Sequence, residues 1–86
     1  MKKTIGKVVE VWIPEQYQDG KLLDVMDRNQ IAFRVITDQG EKEIVTDQNE
    51  WTSNIMKEDT VMITEQVISG QYYIDIELYE DDYDEE

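Results

Sequence analysis

The chain has no cysteine and no histidine, and only one proline in 86 residues. Without thiol or imidazole there is no disulfide framework, no zinc or haem ligand of the usual kind, no thiol nucleophile and no imidazole base. Positive charge is scarce as well: eight lysines and arginines stand against 21 acids, for a formal charge of -13. That sign opposes direct contact with nucleic acid phosphates or an anionic membrane surface. No apolar run is longer than three residues, as in Val11-Trp12-Ile13 or Val61-Met62-Ile63. Such runs are far too short to cross a bilayer. The opening Met1-Lys2-Lys3-Thr4-Ile5 begins like the basic end of a signal peptide, but Lys7 and Glu10 interrupt the apolar stretch that should follow. A cytoplasmic protein is therefore expected, and the absence of cysteine fits that compartment. A chain of this length builds one core and one domain.

What is present is a period of two. From Thr4 to Ile13 the apolar residues Ile5, Val9, Val11 and Ile13 share one parity, which predicts a strand with that face buried. Gly6 within it suggests a bulge or tight bend, and Pro14 ends the ladder because it has no N–H to donate. Residues 14–28 read either as a short helix carrying Leu22, Leu23, Val25 and Met26, or as an irregular arm. An arm covering one mouth of a barrel is expected rather than an exposed patch. Gln30 to Thr37 and Glu41 to Thr46 form a hairpin around Asp38-Gln39-Gly40, with Ile31, Phe33 and Val35 on one face of the first strand. Asp47 and Glu50 are spaced as a capping box, and Trp51 and Ile55 lie four apart, which predicts a short helix with those two side chains on one face. Thr60 to Val67 and Gln71 to Leu78 form a second hairpin around Ser69-Gly70. Its last strand puts Tyr72, Ile74, Ile76 and Leu78 on one face and Tyr73, Asp75, Glu77 and Tyr79 on the other. Residues 80–86 hold six acids and no base, which predicts a disordered tail and leaves a charge of -7 for residues 1–79.

Five strands in so small a domain leave few edges open if they close on themselves. The expected fold is all-β: a five-stranded barrel over residues 1–79, OB-like or alternatively SH3-like, with one short helix between the third and fourth strands and Trp51 and Ile55 as its plug. Two stretches carry a resemblance. Ile5-Gly6-Lys7-Val8-Val9-Glu10-Val11 resembles the opening strand of small OB-like and SH3-like bacterial modules. Ile55-Met56-Lys57-Glu58-Asp59-Thr60-Val61-Met62-Ile63 resembles their lead-in to the fourth strand, where many of them have Gly-Asp in place of Glu58-Asp59. The chain is similar in this respect to the OB-like C-terminal domains of NfeD-type proteins and to small bacterial and phage domains. The resemblance covers most of the barrel. It implies strand–turn–strand geometry and carries no functional residue.

The chemistry available is narrow. Acid–base work falls to carboxylates, tyrosine or lysine. Asp24 with Asp27, and Asp75 with Glu77, are the closely spaced acids, but a barrel of this size has little room for a cleft between them. Ser53 and Ser69 have no histidine to activate them. No segment fits a calcium-binding loop, so neither metal nor cofactor is expected. Trp12, Tyr73 and Tyr79 are candidates for stacking bases, yet the basic groove that single-strand binding requires is missing. A non-enzymatic module that binds another protein is the expected function. The alternative is an acidic mimic of nucleic acid, bacterial or phage-encoded, that occupies the site of a basic nucleic-acid-binding protein. The candidate partner-binding residues are Trp12, Tyr73, Asp75, Glu77, Tyr79, Asp81, Asp82 and Tyr83, in a monomer or weak dimer.

Charge alone yields a prediction. Repulsion among the acids is screened over a Debye length of about 8 Å at physiological salt. The melting temperature should therefore rise between very low and moderate salt. A flat or falling dependence in a thermal scan would show that the acids are already neutralised by local pairing.

Overall fold

The computed structural model describes residues 1–79, and the expected acidic tail lies outside the described residues. The described chain is all-β. Strands run β1 (Lys2–Trp12), β2 (Tyr17–Gln18), β3 (Lys21–Leu22), β4 (Gln30–Thr37), β5 (Gly40–Asp47), β6 (Thr60–Ile68) and β7 (Gln71–Leu78). The five long strands form one antiparallel sheet in the order β5-β4-β1-β6-β7. Among them the fourth lies beside the first, followed by the second and third, which is Greek-key order.

Both hairpins depend on β1. Lys2 to Lys7 pairs with β6, and Gly6 to Trp12 pairs with β4. The expected parity of this strand fails in its first half, where Thr4, Gly6 and Val8 are buried and Ile5 is exposed. It returns beyond the bulge, where Val11 stands opposite core Phe33 and Ile13 packs against the core. Gly6 faces inward because nothing larger fits: a Cβ there would stand 2.5 Å from Val35 Cγ1 and 2.8 Å from the Ile36 carbonyl oxygen. The bulge is not at Gly6 but at Val9, where the register with β4 shifts between Val8 and Glu10. One unpaired residue changes the face of every residue beyond it. Beside the bulge, Val8 N–H donates to the Asp59 carbonyl at 2.9 Å and Glu58 N–H to the Val8 carbonyl at 2.8 Å. Asp59 closes this turn with its own carboxylate, which accepts the Met56 N–H at 2.8 Å. Glu58 sits at φ +81°, in the left-handed region where glycine is easier.

The remaining long strands follow their pattern. Ile31, Phe33 and Val35 of β4, Ile44 of β5, Val61 and Ile63 of β6, and Ile76 of β7 form the core with Val8 and Ile55. The β6–β7 hairpin turns through Ser69 and Gly70, both at positive φ, as a two-residue loop of the primed type requires. The sheet curls strongly. Lys42 Nζ of β5 reaches Glu65 Oε2 of β6 at 3.0 Å although two strands, β4 and β1, lie between them along the sheet. The edges β5 and β7 come within 8 Å between Cα atoms but share no ladder. The expected closed barrel is thus a curled sheet with a seam. Both edge strands carry acids, Glu41, Glu43 and Asp47 on one and Asp75 and Glu77 on the other, and charged side chains are a common feature of edges that stay unpaired.

Two local expectations need correction. The short helix is only a 3-10 turn over Thr52–Asn54. Asn49 rather than Asp47 caps it: its Oδ1 accepts the N–H groups of Trp51 at 2.9 Å and Thr52 at 2.8 Å, and Thr52 Oγ1 donates to the Asp47 carbonyl. With three residues per turn, positions four apart no longer share a face. Ile55 is buried in the core, while Trp51 is 69% exposed. Residues 14–28 form neither a helix nor a cover. They make a two-stranded hairpin, β2–β3, and one 3-10 turn, Val25–Asp27, that leaves Leu22, Val25 and Met26 exposed.

Gly6→Ala is expected to destabilise the fold by about 1–3 kcal/mol through overpacking against β4. Urea unfolding measures it. An unchanged midpoint would show that β1 and β4 do not pack this closely.

Candidate functional site

The seam between β5 and β7 is where unused bonding capacity gathers. In an antiparallel pair the residues that exchange hydrogen bonds alternate with those that do not. Tyr79 N–H donates to the Thr60 carbonyl at 3.0 Å, so Tyr79, Glu77, Asp75 and Tyr73 turn their backbone groups toward β6. Leu78, Ile76 and Ile74 therefore turn theirs toward the open edge. The same reasoning applies to β5. Gln48 N–H donates to the Asn29 carbonyl at 2.8 Å, so Thr46 and Ile44 bond to β4 while Asp47 and Val45 face the seam.

Two adjoining hollows lie along this seam. One, of about 230 Å³, is lined by Thr46, Asn49, Trp51, Thr52, Asp75, Ile76 and Glu77. The other, of about 330 Å³, is bounded by Trp51, Asn54, Glu77 and Leu78. Trp51 and Glu77 are common to both, so the two make one groove with an indole on one bank and carboxylates on the other. Trp51 is held there by the Asn49 cap.

The expected site residues separate. Asp75 and Glu77 are exposed on β7 and line the groove. Tyr73 lies on the same face further back and donates its hydroxyl to Gln71 Oε1 at 3.2 Å. Tyr79 is half-buried just past the strand. Trp12 is not brought to them. It sits at the far end of β1 opposite Ala32 of β4, with the Arg34 guanidinium 5.2 Å from its ring centroid. Arg34 is itself paired with Glu10, with Glu41 at 2.8 Å and with Glu43 at 3.5 Å. One face of the indole therefore carries a cation. Asp81, Asp82 and Tyr83 lie outside the described residues. Among the described residues no group of three or more acids is arranged to hold a metal ion, and no helix is long and apolar enough to cross a membrane. No family model matches the chain, and no curated protein or solved structure is significantly similar to it.

Sequence reasoning missed Trp51, which it assigned to the core. Asn49 followed three residues later by Thr52 was the available signal, because each side chain bonds the backbone of a tight turn and competes with a regular helix.

Two carboxylates have shifted ionisation. The hydrogen bond from Lys7 and its charge hold Glu58 below the usual carboxylate range. Glu65 is likewise held down, first by its hydrogen bond from Lys42, against a partial burial that pushes the other way. The fold thus favours ionised Glu65. The stability this confers is complete above the ordinary value near 4.5 and is lost as pH falls through the lower folded value. Glu65→Gln should cost about 1 kcal/mol at neutral pH, and its difference from the parent should vanish as the pH drops well below 4.5. Urea midpoints across that range test this; a constant gap would mean that the pair is not acting as an ion pair.

Proposed function

We propose that this protein is a non-enzymatic binding module with a partly open, OB-like barrel, and that the β5–β7 seam receives an extended basic segment of another protein. The Greek-key order supports the OB-like reading, with the first strand between the second and fourth and a turn joining the third to the fourth. The observation that carries the function is the groove itself. It joins backbone N–H and C=O groups of Ile76 and Leu78 that have no ladder partner among the described residues, an exposed indole at Trp51, and carboxylates at Asp75 and Glu77. Added strands draw affinity from main-chain bonds and specificity from side-chain pockets. Here a lysine or arginine of the segment would pair with Asp75 and Glu77, while an apolar residue would lie against Trp51 and Leu78.

A second reading makes the same acids a mimic of phosphates for a basic nucleic-acid-binding protein. The supporting observation is that Tyr73, Asp75 and Glu77 stand exposed on one face of an edge strand. Both readings require a basic protein partner. They differ in whether DNA competes for it.

A short peptide alternating valine and lysine, titrated into labelled protein, should shift the amide resonances of Ile76, Leu78, Val45 and Asp47 and the Trp51 indole. An alternating valine–glutamate peptide should not. Trp51→Ala and Glu77→Lys should each weaken binding about tenfold, equivalent to about 1.4 kcal/mol, whereas Trp12→Ala should leave it unchanged. Equal binding by all three variants, or shifts confined to other strands, overturns the assignment.

A further inference from the structure

A different surface stands out at the opposite end of the molecule. Gln66 to Ile74 is the longest stretch of the chain without a charged side chain, nine residues in a protein that is 34% charged. It forms the tip of the β6–β7 hairpin. β1 pairs with β6 only as far as Glu65, so Gln66 to Ile68 extend beyond the sheet with one free edge. The core face of the hairpin continues past the core. Ile63 and Ile76 are buried, Glu65 and Ile74 are half-buried, and the cross-strand pair Val67 and Tyr72 is 66% and 58% exposed. On the reverse face Ile68 is 51% and Tyr73 44% exposed. Four large apolar side chains therefore stand uncovered on both sides of one projecting tip.

We propose that this tip is a homotypic contact, through which two copies of the chain associate as a weak, reversible dimer. Charge selects a second copy over other occupants. Two chains of charge -13 repel wherever their acids meet, and the uncharged tip lets apolar surfaces touch while keeping those acids apart. A basic partner, by contrast, would be drawn to the acidic faces and not to the one segment without charge. The area fits a transient contact. Tyr72 and Tyr73 would bury about 150–250 Å² each if fully covered and are already about half covered, so even with Val67 and Ile68 the contact stays below the roughly 800 Å² per partner of stable complexes.

Sedimentation velocity on the full chain over a concentration series tests this. Reversible dimerisation is expected, and it should strengthen as salt rises, since screening relieves the like-charge repulsion. That salt dependence is opposite to the one expected for a basic peptide in the seam. Val67→Asp and Tyr72→Asp should each weaken dimerisation at least about tenfold. Both positions are exposed, so the melting temperature serves as the check that the fold persists. Glu77→Lys, at the seam, should leave the dimer intact. A monomer at every concentration and salt level overturns the proposal, as does a dimer that survives both hairpin variants. Co-sedimentation with phosphatidylcholine vesicles, abolished by the same variants while the protein stays monomeric, would assign the tip to a lipid surface instead and equally overturn it.

Discussion

Everything in this small sheet hangs on β1, the one strand to which both hairpins are bonded. Its first half pairs with β6 and its second half with β4, and only around Gly6 and Lys7 does it hold both at once. That crossing point is also closely packed, since the inward side of Gly6 is already filled by Val35, the Ile36 carbonyl and Thr37. Just beyond it the bulge at Val9 and the turn bonds from Glu58 and Asp59 to Val8 bend the strand away from β6. A strand that leaves one neighbour to follow another is what allows five strands to curl around a single core.

The same curl produces the candidate surface. Bending the sheet carries its two outermost strands toward each other until they nearly meet, but acids on both strands accompany an edge that does not pair. The result is a seam with backbone donors and acceptors on both sides and a groove beneath Trp51. At the other end the β6–β7 hairpin outruns β1, so the core face extends into solvent without a cover. One sheet thus presents two unlike surfaces, an acidic groove suited to a cation-bearing strand and an uncharged tip suited to a neutral or like-charged neighbour. Salt acts on the two in opposite directions, because one gains from attraction and the other suffers from repulsion.

Much of the strand pattern was legible. β4, β5, β6 and β7 lie within a residue or two of where alternation and turn residues put them, and the core positions Ile31, Phe33, Val35, Ile44, Val61, Ile63 and Ile76 follow from period two. The first half of β1 was misread because Thr4 and Gly6 stand beside Val8 on its core face while Ile5 faces solvent, and the unpaired residue at Val9 then returns Val11 and Ile13 to the expected face. Counting apolar residues cannot show that a buried position has room only for a hydrogen atom. Of the candidate residues, Asp75 and Glu77 could be placed together on an exposed face because a regular strand displays alternate residues. The exposure of Trp51 was not legible because it depends on a tight turn that breaks helical spacing, nor was the Arg34 guanidinium over Trp12, because the two are distant in sequence.

The amino-acid sequence by itself determined the all-β class, the two long hairpins, the faces of four of their strands, the concentration of negative charge, and the exclusion of thiol and imidazole chemistry. Those follow from local periodicity and composition, which act between near neighbours. Tertiary structure decided the rest. It chose which strand β1 would pair with at each position, switched its faces midway through one unpaired residue, left the seam unzipped, and put Trp51 beside Glu77 in the open. Each depends on the close approach of segments far apart in the chain, where sterics and like charge outweigh local preference.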